Sequence, residues 1–331
     1  MAKSIKDIAR FAGVSIATVS RVMNGNRRVS PEIRRKVEEI LKRESYFPNP
    51  AARNLVLGRK PSKLVVVTLP PILTPFFSEL LSGVREGLRE SDFKLVIQEV
   101  SKPESGEHIL SNLDKDGLAG MLVFCRNLSQ SERKFLRLRK IPYLLLDYLS
   151  KEDHSFAVDN FLGGRMAAEW LFQRGARRPV YLGTPPTGAG VAEERWKGFL
   201  SYFQEKNIIP LLRTLDVEGT SEDFMAKGYE LTKQFFSVKE HEGVDGIFYF
   251  CDEMALGGVS ALGEFKINLP VIGFDGWTPS SYLGIATLSQ PARRMGKDGA
   301  NVLINNLMND NSLIINRLYP PELREPLVRK F

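Results

Sequence analysis

From residue 64 onward the chain repeats one pattern, in which a short apolar run is followed by a longer segment with helical spacing of its apolar residues. The predicted strands are 64–69, 93–99, 118–124, 142–146, 179–183, 245–250 and 270–273, and the predicted helices are 76–91, 104–115, 129–140, 160–175, 190–206, 221–236, 252–265 and 291–308. Continuous apolar strands alternating with helices are typical of parallel sheets covered on both faces. Because this part of the chain is too long for one small sheet, we expect two similar α/β lobes.

The excess positive charge of the chain lies in its first 60 residues. These residues contain 14 Lys and Arg and 5 Asp and Glu, a net charge of +9, whereas the remaining 271 contain 32 and 34, a net charge of −2. Such a basic segment indicates a polyanionic partner, either nucleic acid or a membrane surface, or else a solvated face without a partner. No apolar run is long enough to span a membrane, and no signal peptide is recognisable, so we expect a cytoplasmic protein without membrane contact.

Residues 1–45 have the pattern of three short helices. The first helix starts at Ser4 with a capping-box-like sequence and is broken by Gly13. The second starts at Ser15, and the third starts at Ser30, which is followed by Pro at the first helical position. Two short helices joined by a tight turn form a helix-turn-helix, whose second helix can enter the major groove of DNA.

The outward face of the second helix carries the candidate DNA-contacting residues. Arg21 is the best candidate for reading a base, because a guanidinium group matches the edge of guanine bidentately. Ile16 and Ala17 are suited to contact with a thymine methyl group. Candidates for positioning the DNA through its phosphates are the polar and basic residues Ser15, Thr18, Ser20, Asn24 and Arg28.

A longer motif includes this helix-turn-helix. It consists of Val14-Ser15, Thr18-Val19-Ser20-Arg21-Val22, Asn24, Val29-Ser30 and Tyr46-x-Pro48-Asn49-x-Ala51-Ala52-Arg53-x-Leu55. The motif resembles the head of the lactose-repressor and galactose-repressor (LacI/GalR) family, and the likeness continues through Gln290 and the helix after it. The resemblance implies a transcriptional regulator, a repressor rather than an activator, whose operator affinity is controlled by a small molecule. It also implies a homodimer on near-palindromic operator DNA.

Residues 50–57 are predicted to form a short helix that is marginal on its own, since it is brief and has little apolar face. In the family that the motif resembles, this segment is a hinge helix that folds on operator DNA. Paired hinge helices enter the minor groove there, and a leucine matching Leu55 wedges open a base step. By the same resemblance Asn49, Ala52 and Arg53 are DNA-binding candidates. The alternative for Leu55 is packing against the core.

Polar residues follow several predicted strands of the core. In the resembled family the core is similar to periplasmic sugar-binding proteins, whose ligand lies between the lobes, and such clefts lie outside the carboxyl ends of parallel strands. Asp147, Arg195 and Asp275 match pocket positions of the family. Carboxylates and an arginine suit hydroxyl-rich ligands, although a helix cap or a salt bridge within one lobe is the alternative for each. Asp252 is assigned to the cap of the helix that follows it.

Aromatic residues and one thiol complete the candidate ligand set. Phe76 and Phe77 resemble the apolar wall of the first lobe, with plain core packing as the alternative. Phe224 and Trp277 are placed where the resemblance allows an aromatic ring against a sugar. Cys251 stands where many sugar-binding members have asparagine, and because a thiol is a weak donor and acceptor, we expect one hydroxyl contact to be lost. A sugar is the expected effector, with a nucleobase or another metabolite as the alternative.

The fold class predicted from these observations is α plus α/β. The expected units are a three-helix helix-turn-helix head over 1–48, a hinge helix and linker over 49–60, and a two-lobed, periplasmic-binding-protein-like, doubly wound core for ligand binding and dimerisation over 61–331. Within the core, lobe 1 is expected to comprise about 61–159 and 288–316, and lobe 2 about 160–287 and 317–331. The segment 283–290 is expected to return the chain to lobe 1.

Other classes of function fit the sequence less well. His108, His154 and His241 are scattered, and metal-ligand spacing, a nucleophile elbow and a phosphate loop are missing, so we expect no enzyme, no metal site and no cofactor. Cys125 and Cys251 lie in apolar runs, which favours reduced thiols over a disulfide. The basic head argues against a transport-type binding protein. The polar groups at strand ends argue against a DNA-organising protein without a ligand.

Overall fold

The computed structural model describes residues 4–23, 29–44, 63–69, 74–100, 118–186, 190–215, 224–308 and 314–328. Several predictions lie outside these residues, namely the DNA contacts of Asn24, Arg28, Asn49, Ala52, Arg53 and Leu55, the hinge helix, and the helix predicted over 104–115. The described residues form a small helical head and two α/β lobes, so the predicted fold class is confirmed.

Three helices form the head. They are α1 (Ile5–Ala12), α2 (Ile16–Met23) and α3 (Pro31–Arg43). Helix α1 begins with a complete capping box, in which Asp7 N donates to Ser4 Oγ and Ser4 N donates to the Asp7 carboxylate. It ends at Gly13, whose φ of 66° is a left-handed conformation that glycine adopts at little cost. The helices enclose a small apolar core of Ile8, Ala9, Ala12, Val19, Val22, Val29, Val37 and Ile40.

The first lobe is built on a parallel sheet of six strands. The strands are β1 (Leu64–Leu69), β2 (Lys94–Glu99), β3 (Gly120–Phe124), β4 (Tyr143–Leu146), β5 (Ser155–Val158) and β11 (Asn316–Tyr319). Their order is β11-β5-β4-β3-β1-β2. Helices α4 (Pro75–Leu88) and α11 (Ala292–Met308) cover one face, and α5 (Gln130–Leu138) covers the other. Alternate strand residues therefore enter two separate apolar layers.

The second lobe has its own sheet of six strands. They are β6 (Pro179–Gly183), β7 (Leu211–Thr214), β8 (Gly246–Tyr249), β9 (Val271–Asp275), β10 (Ala286–Ser289) and β12 (Glu322–Arg324). Their order is β12-β10-β9-β8-β6-β7, with β12 antiparallel to β10. Helices α6 (Asn160–Gln173) and α7 (Val191–Gln204) cover one face, and α8 (Phe224–Phe236) and α9 (Asp252–Glu264) cover the other. A short helix α10 (Thr278–Tyr282) follows β9.

The chain passes between the lobes three times, after β5, after β10 and after β11. Two of the expected lobe boundaries need correction. Strand β10 pairs with β9, so 288–289 belong to the second lobe, and β11 pairs with β5, so 317–319 belong to the first. The chain returns to lobe 1 only at the end of the segment 283–290, because β10 is held in the second sheet by its pairing with β9 and β12.

Candidate functional site

Helix α2 presents the predicted base-reading residues on its solvent face. Ile16 is 43% exposed, and Ala17 and Arg21 are exposed beside it. Val19, on the opposite face of the same helix, is fully buried in the core of the head. The burial of Val19 thus determines which side of α2 faces outward, and this side carries the residues predicted to meet the bases.

The predicted phosphate contacts that the structure describes lie at the start and along the flank of α2. Thr18 N donates to Ser15 Oγ at 3.1 Å, so Ser15 caps the helix as predicted, and the two hydroxyl oxygens are 2.9 Å apart. Ser20 is half-buried on the flank. The backbone N–H groups and the dipole at a helix start favour an anion, so this end of α2 suits a DNA phosphate.

A cleft of about 880 Å³ lies between the carboxyl ends of the two sheets. In this interlobe cleft, Asp147 comes from the first lobe and Phe224 from the second. A smaller space of about 440 Å³, the crossover crevice, is lined by Phe76, Asp275 and Trp277. The predicted ligand residues are therefore divided between two spaces. Arg195 links them, because its positive charge acts on both Asp147 and Asp275.

Arg195 is buried and held by the second lobe. Its Nε donates to Asn160 Oδ1 at 2.9 Å, and its Nη1 donates to the carbonyl oxygen of Phe250 at 2.6 Å. The guanidinium carbon lies 3.7 Å from the centroid of the Phe274 ring. Helices α6 and α7 approach so closely here that a Cβ on Gly164 would lie 2.0 Å from the Arg195 carbonyl oxygen. The guanidinium is thus positioned by packing and hydrogen bonds before any ligand binds.

Asp147 and Cys125 follow neighbouring strands and share an unusual backbone. Their φ angles are 57° and 54°, in the left-handed region that costs a non-glycine residue about 1–3 kcal/mol and is concentrated at functional sites. Cys125 Sγ donates to Asp147 Oδ2 at 3.2 Å, whereas Asp147 Oδ1 is enclosed and has no hydrogen-bond partner. Burial raises the pKa of Asp147 to about 6, against the opposing effects of Cys125 and Arg195. Both residues line the interlobe cleft.

Asp275 ends β9 with a φ of 118° and accepts a hydrogen bond of 2.5 Å from Gln290 Nε2. Burial raises the pKa of Asp275 to about 7, although Arg195 and Gln290 lower it. Carboxylates with raised pKa values in a cleft are typical of functional sites.

Asp252 is fully buried beside Asp275, and its expected role as a helix cap is wrong. Helix α9 begins at Asp252 itself, with Cys251 at the cap position. The Asp252 carboxylate instead accepts from Trp277 N at 2.6 Å and from Thr287 Oγ1 at 2.8 Å. Burial, with Asp275 adding to it, raises the pKa of Asp252. Asp252 therefore fixes the loop that follows β9, the strand on which Asp275 lies.

Two predicted ligand residues are placed in the core. The ring of Phe77 lies 6.5 Å from that of Phe124, centroid to centroid, in the apolar layer under α4. Cys251 is buried in the core of the second lobe, where burial raises the pKa of its thiol. Neither side chain is among the described residues that line the cleft or the crevice.

Three residues of the site were not predicted from the sequence. Cys125 follows β3 as Asp147 follows β4, so the same argument from strand ends would have found it. Asn160, which orients Arg195, begins α6 directly after a crossover. Gln290 follows β10, a strand that the sequence pattern did not reveal. These residues support or extend the set of charged groups around Arg195.

Three further sequence expectations concern the whole described part of the chain. Cys125 and Cys251 are both free thiols, which confirms the preference for reduced cysteines over a disulfide. Within the described ranges, no group of His, Cys, Asp and Glu residues is arranged to hold a metal ion. Among the same residues, none of the helices combines the length and apolar character that a membrane span requires.

Comparison with known proteins matches both regions of the chain. Residues 4–49 match the family described as bacterial regulatory proteins, lacI family, and residues 168–325 match the periplasmic binding protein-like domain. The chain is 31% identical over 334 residues to the HTH-type transcriptional regulator RegA of Clostridium acetobutylicum, which covers 97% of this chain and 95% of that protein. The chain belongs to the LacI family. Proteins of this family are transcriptional regulators, which are generally not enzymes.

Other LacI-family proteins show the same full-length similarity. The HTH-type transcriptional repressor PurR of Actinobacillus pleuropneumoniae serotype 5b is 27% identical over 318 residues, with 93% of this chain and 92% of that protein covered. The lac repressor dimer bound to operator and the anti-inducer ONPF aligns with a TM-score of 0.70 at 24% identity, over 98% of this chain and 99% of that one. The CelR–cellobiose complex aligns with a TM-score of 0.71 at 21% identity, over 97% and 98% of the two chains. The two structures show that the LacI-family fold extends over the chain.

Proposed function

We propose that this LacI-family regulator is a repressor whose operator affinity is controlled by a sugar bound between its lobes. The observation that carries the proposal is the buried guanidinium of Arg195, whose charge acts on two carboxylates from different lobes, Asp147 and Asp275. Carboxylates and guanidinium groups bind pairs of hydroxyl groups with charge-assisted hydrogen bonds. A ligand that contacts Asp147 and the second lobe together binds the closed arrangement best and shifts the protein toward it.

The DNA-binding half of the proposal assigns a role to each part before the core. The head, over 1–48, reads a half-site through Arg21, and residues 49–60 form the hinge helix and linker, with Leu55 in the minor groove. Two copies of the chain form a homodimer on a near-palindromic operator. Ligand binding changes the relation of the two lobes and hence the distance between the hinges, so ligand and operator affect each other's affinity reciprocally.

A nucleobase is the second candidate effector. It is favoured by three phenylalanine rings in the wall of the interlobe cleft, at Phe161, Phe224 and Phe250. Flat aromatic ligands stack on such rings, so the cleft suits a base as well as the apolar face of a sugar.

Tryptophan fluorescence tests which effector class binds. Trp196 is adjacent to Arg195, and Trp277 lines the crossover crevice, so filling the site changes their surroundings. We expect a saturable response to one class in a titration with mono- and oligosaccharides and then nucleobases, and loss of the response in Arg195→Ala. Arg165→Ala, which removes a surface ion pair with Glu205, is the control that retains it.

Operator binding is measured with the same ligands. A ligand that weakens binding to operator DNA is an inducer, and one that strengthens it is a corepressor. If no sugar or nucleobase changes the fluorescence of a protein that still binds DNA specifically, the proposed effector classes are contradicted.

A further inference from the structure

The interlobe cleft is acidic although the chain as a whole carries a net charge of +7. Its lining includes the four carboxylates Asp147, Asp159, Glu193 and Glu194. None of the described residues that line the cleft is a lysine, arginine or histidine. A narrow space with walls of one charge sign raises the local concentration of the opposite ion. The cleft therefore favours an occupant that brings positive charge.

Three of these four carboxylates have partners of their own. Lys197 lies 3.3 Å from Glu193 and 3.4 Å from Glu194, but its side chain is 49% exposed, and pairs in such positions contribute little. Asp159 is engaged as the cap of α6. The positive charge of Arg195 lowers the pKa of Asp147, and it lowers the pKa of Asp275 as well. One buried guanidinium thus faces two carboxylates, of which Asp147 lines the cleft.

Two enclosed acceptor atoms of the described residues have no hydrogen-bond partner, Asp147 Oδ1 at the interlobe cleft and Gln290 Oε1 at the crossover crevice. Gln290 is only 8% exposed, and the bond from its Nε2 to Asp275 Oδ1 sets which end of the amide is the free acceptor. Cys125 supplies a weak thiol donor to the other oxygen of Asp147. Because unsatisfied buried acceptors are unfavourable, the site gains from a ligand that is rich in donors.

We propose that the effector carries a protonated amine and that Asp147 binds this amine in the interlobe cleft. The inference rests on the proposed function and narrows its sugar class to amino sugars. An ammonium group supplies three donors and a positive charge, so it satisfies Asp147 Oδ1 and complements the acidic walls. The ring of an amino sugar also presents an apolar face, which fits against Phe161 and Phe224.

Ligands that differ only in one substituent separate the effect of the positive charge on affinity from the effect of the sugar ring. Glucosamine, glucose and N-acetylglucosamine differ in one substituent, and the β-linked glucosamine disaccharide, cellobiose and diacetylchitobiose repeat that comparison at a larger size. Each is titrated into the full-length protein by calorimetry. We expect one amino compound to bind about tenfold to a hundredfold more tightly than its two neutral counterparts, the range of a charge-assisted hydrogen bond in an enclosed site.

Variants assign the preference to Asp147. Asp147→Asn keeps the shape of the side chain, and asparagine tolerates the left-handed backbone, so this variant is expected to fold and to lose the preference for the amine. Glu90→Gln removes an exposed carboxylate far along the chain from the cleft residues and is expected to keep the preference.

Each remaining outcome has a defined meaning. Equal binding of the neutral and the amino compounds overturns the amine inference and leaves sugar sensing in place. A preference for the amine that survives Asp147→Asn also overturns it, because another group then holds the charge. Binding of nucleobases but of no sugar overturns both the inference and the sugar effector, whereas loss of specific operator binding in every preparation contradicts the regulator itself.

Discussion

The head and the interlobe cleft differ in how far their predicted contact residues are exposed to solvent. The described residues predicted to contact DNA lie within one short stretch, from Ser15 to Arg21, and they are exposed or half-buried. The polar and charged groups around Arg195 come from segments between Cys125 and Gln290, and they are largely buried. In the proposed function, the DNA polyanion is bound by exposed and half-buried residues of the head, whereas the small ligand is bound by carboxylates whose pKa values are raised by burial. Substitutions in the head should therefore change binding alone, and substitutions around the cleft should change binding and stability together.

The largest effect is expected for Arg195→Ala. The substitution leaves Asn160 Oδ1 and the Phe250 carbonyl without their donor and removes the cation that faces Asp147 and Asp275. We expect a loss of about 3–5 kcal/mol in the free energy of unfolding, as is usual when one partner of a buried charged group is removed. Urea denaturation measures it. Arg165→Ala should cost less than about 1 kcal/mol, since that pair with Glu205 is solvent-exposed. Equal losses would break the distinction between buried and solvated charges.

Gly164→Ala is expected to have the next largest effect. Its new methyl group would lie 2.0 Å from the Arg195 carbonyl oxygen, so α6 and α7 must separate. Overpacking of this kind costs about 1–3 kcal/mol, and ligand affinity should fall as Arg195 moves. Gly263→Ala is a matched control, because nothing lies within 4 Å of its added Cβ and it sits in helix α9. We expect the control to match or exceed the thermal stability of the parent protein. A destabilised control with an unaffected Gly164→Ala would reverse the argument.

Arg21→Ala should separate recognition from stability in the head. Arg21 is exposed on α2, and its removal should weaken binding to the cognate operator by about 1–3 kcal/mol with little change on random DNA. The melting temperature should not change. Competition binding at fixed salt, together with calorimetric melting, checks both statements. If specific and random DNA lose affinity equally, Arg21 contacts a phosphate and not a base.

A pH-dependent effect is expected for Asp275→Asn. Because burial raises the pKa of Asp275 to about 7, above the ordinary value of 3.8, the folded state holds its proton more tightly than the unfolded chain does. The free energy of unfolding contributed by this group therefore falls as pH rises from about 4 to about 7. Asp275→Asn should lose this slope and should be the more stable protein at pH 8, whereas Glu90→Gln should keep the slope. Melting curves at intervals between pH 5 and pH 8 make the comparison, and an unchanged slope in Asp275→Asn would show that the carboxylate is ionised throughout.

The sequence was sufficient for the head and for most of the apolar strands. Caps, a turn glycine and a helical apolar stripe act locally, so the start and end of α1 and the start of α2 were predicted from Ser4, Gly13 and Ser15. Strands β1, β2, β3, β4, β6, β8 and β9 agree with their predicted ranges to within two residues, because their apolar runs are continuous. Strands β5, β7, β10, β11 and β12 were missed. They contain three or four residues each, and their pairing partners in the sheet, not their own composition, make them strands.

The carboxylates of the site were predicted only where the end of a single strand was sufficient to place them. Asp147 and Asp275 were found because a polar residue follows an apolar run. Asp252 was misassigned because its carboxylate bonds to Trp277 and Thr287, 25 and 35 residues further along, and no local pattern shows such a contact. Gln290 was missed together with β10, on which its position depends.

The order of strands along the chain has a consequence for synthesis. Strand β11 completes the edge of the first sheet, and β12, close behind it, completes the edge of the second. The first sheet cannot hold all of its strands until residue 319 has been synthesised, and the second sheet cannot until residue 324 has been synthesised. The three helices of the head end at Arg43, and the described residues of their small core all come from the head itself. Because domains fold as units from the N-terminus during synthesis, a nascent chain acquires its DNA-reading surface well before it acquires the ability to respond to a ligand.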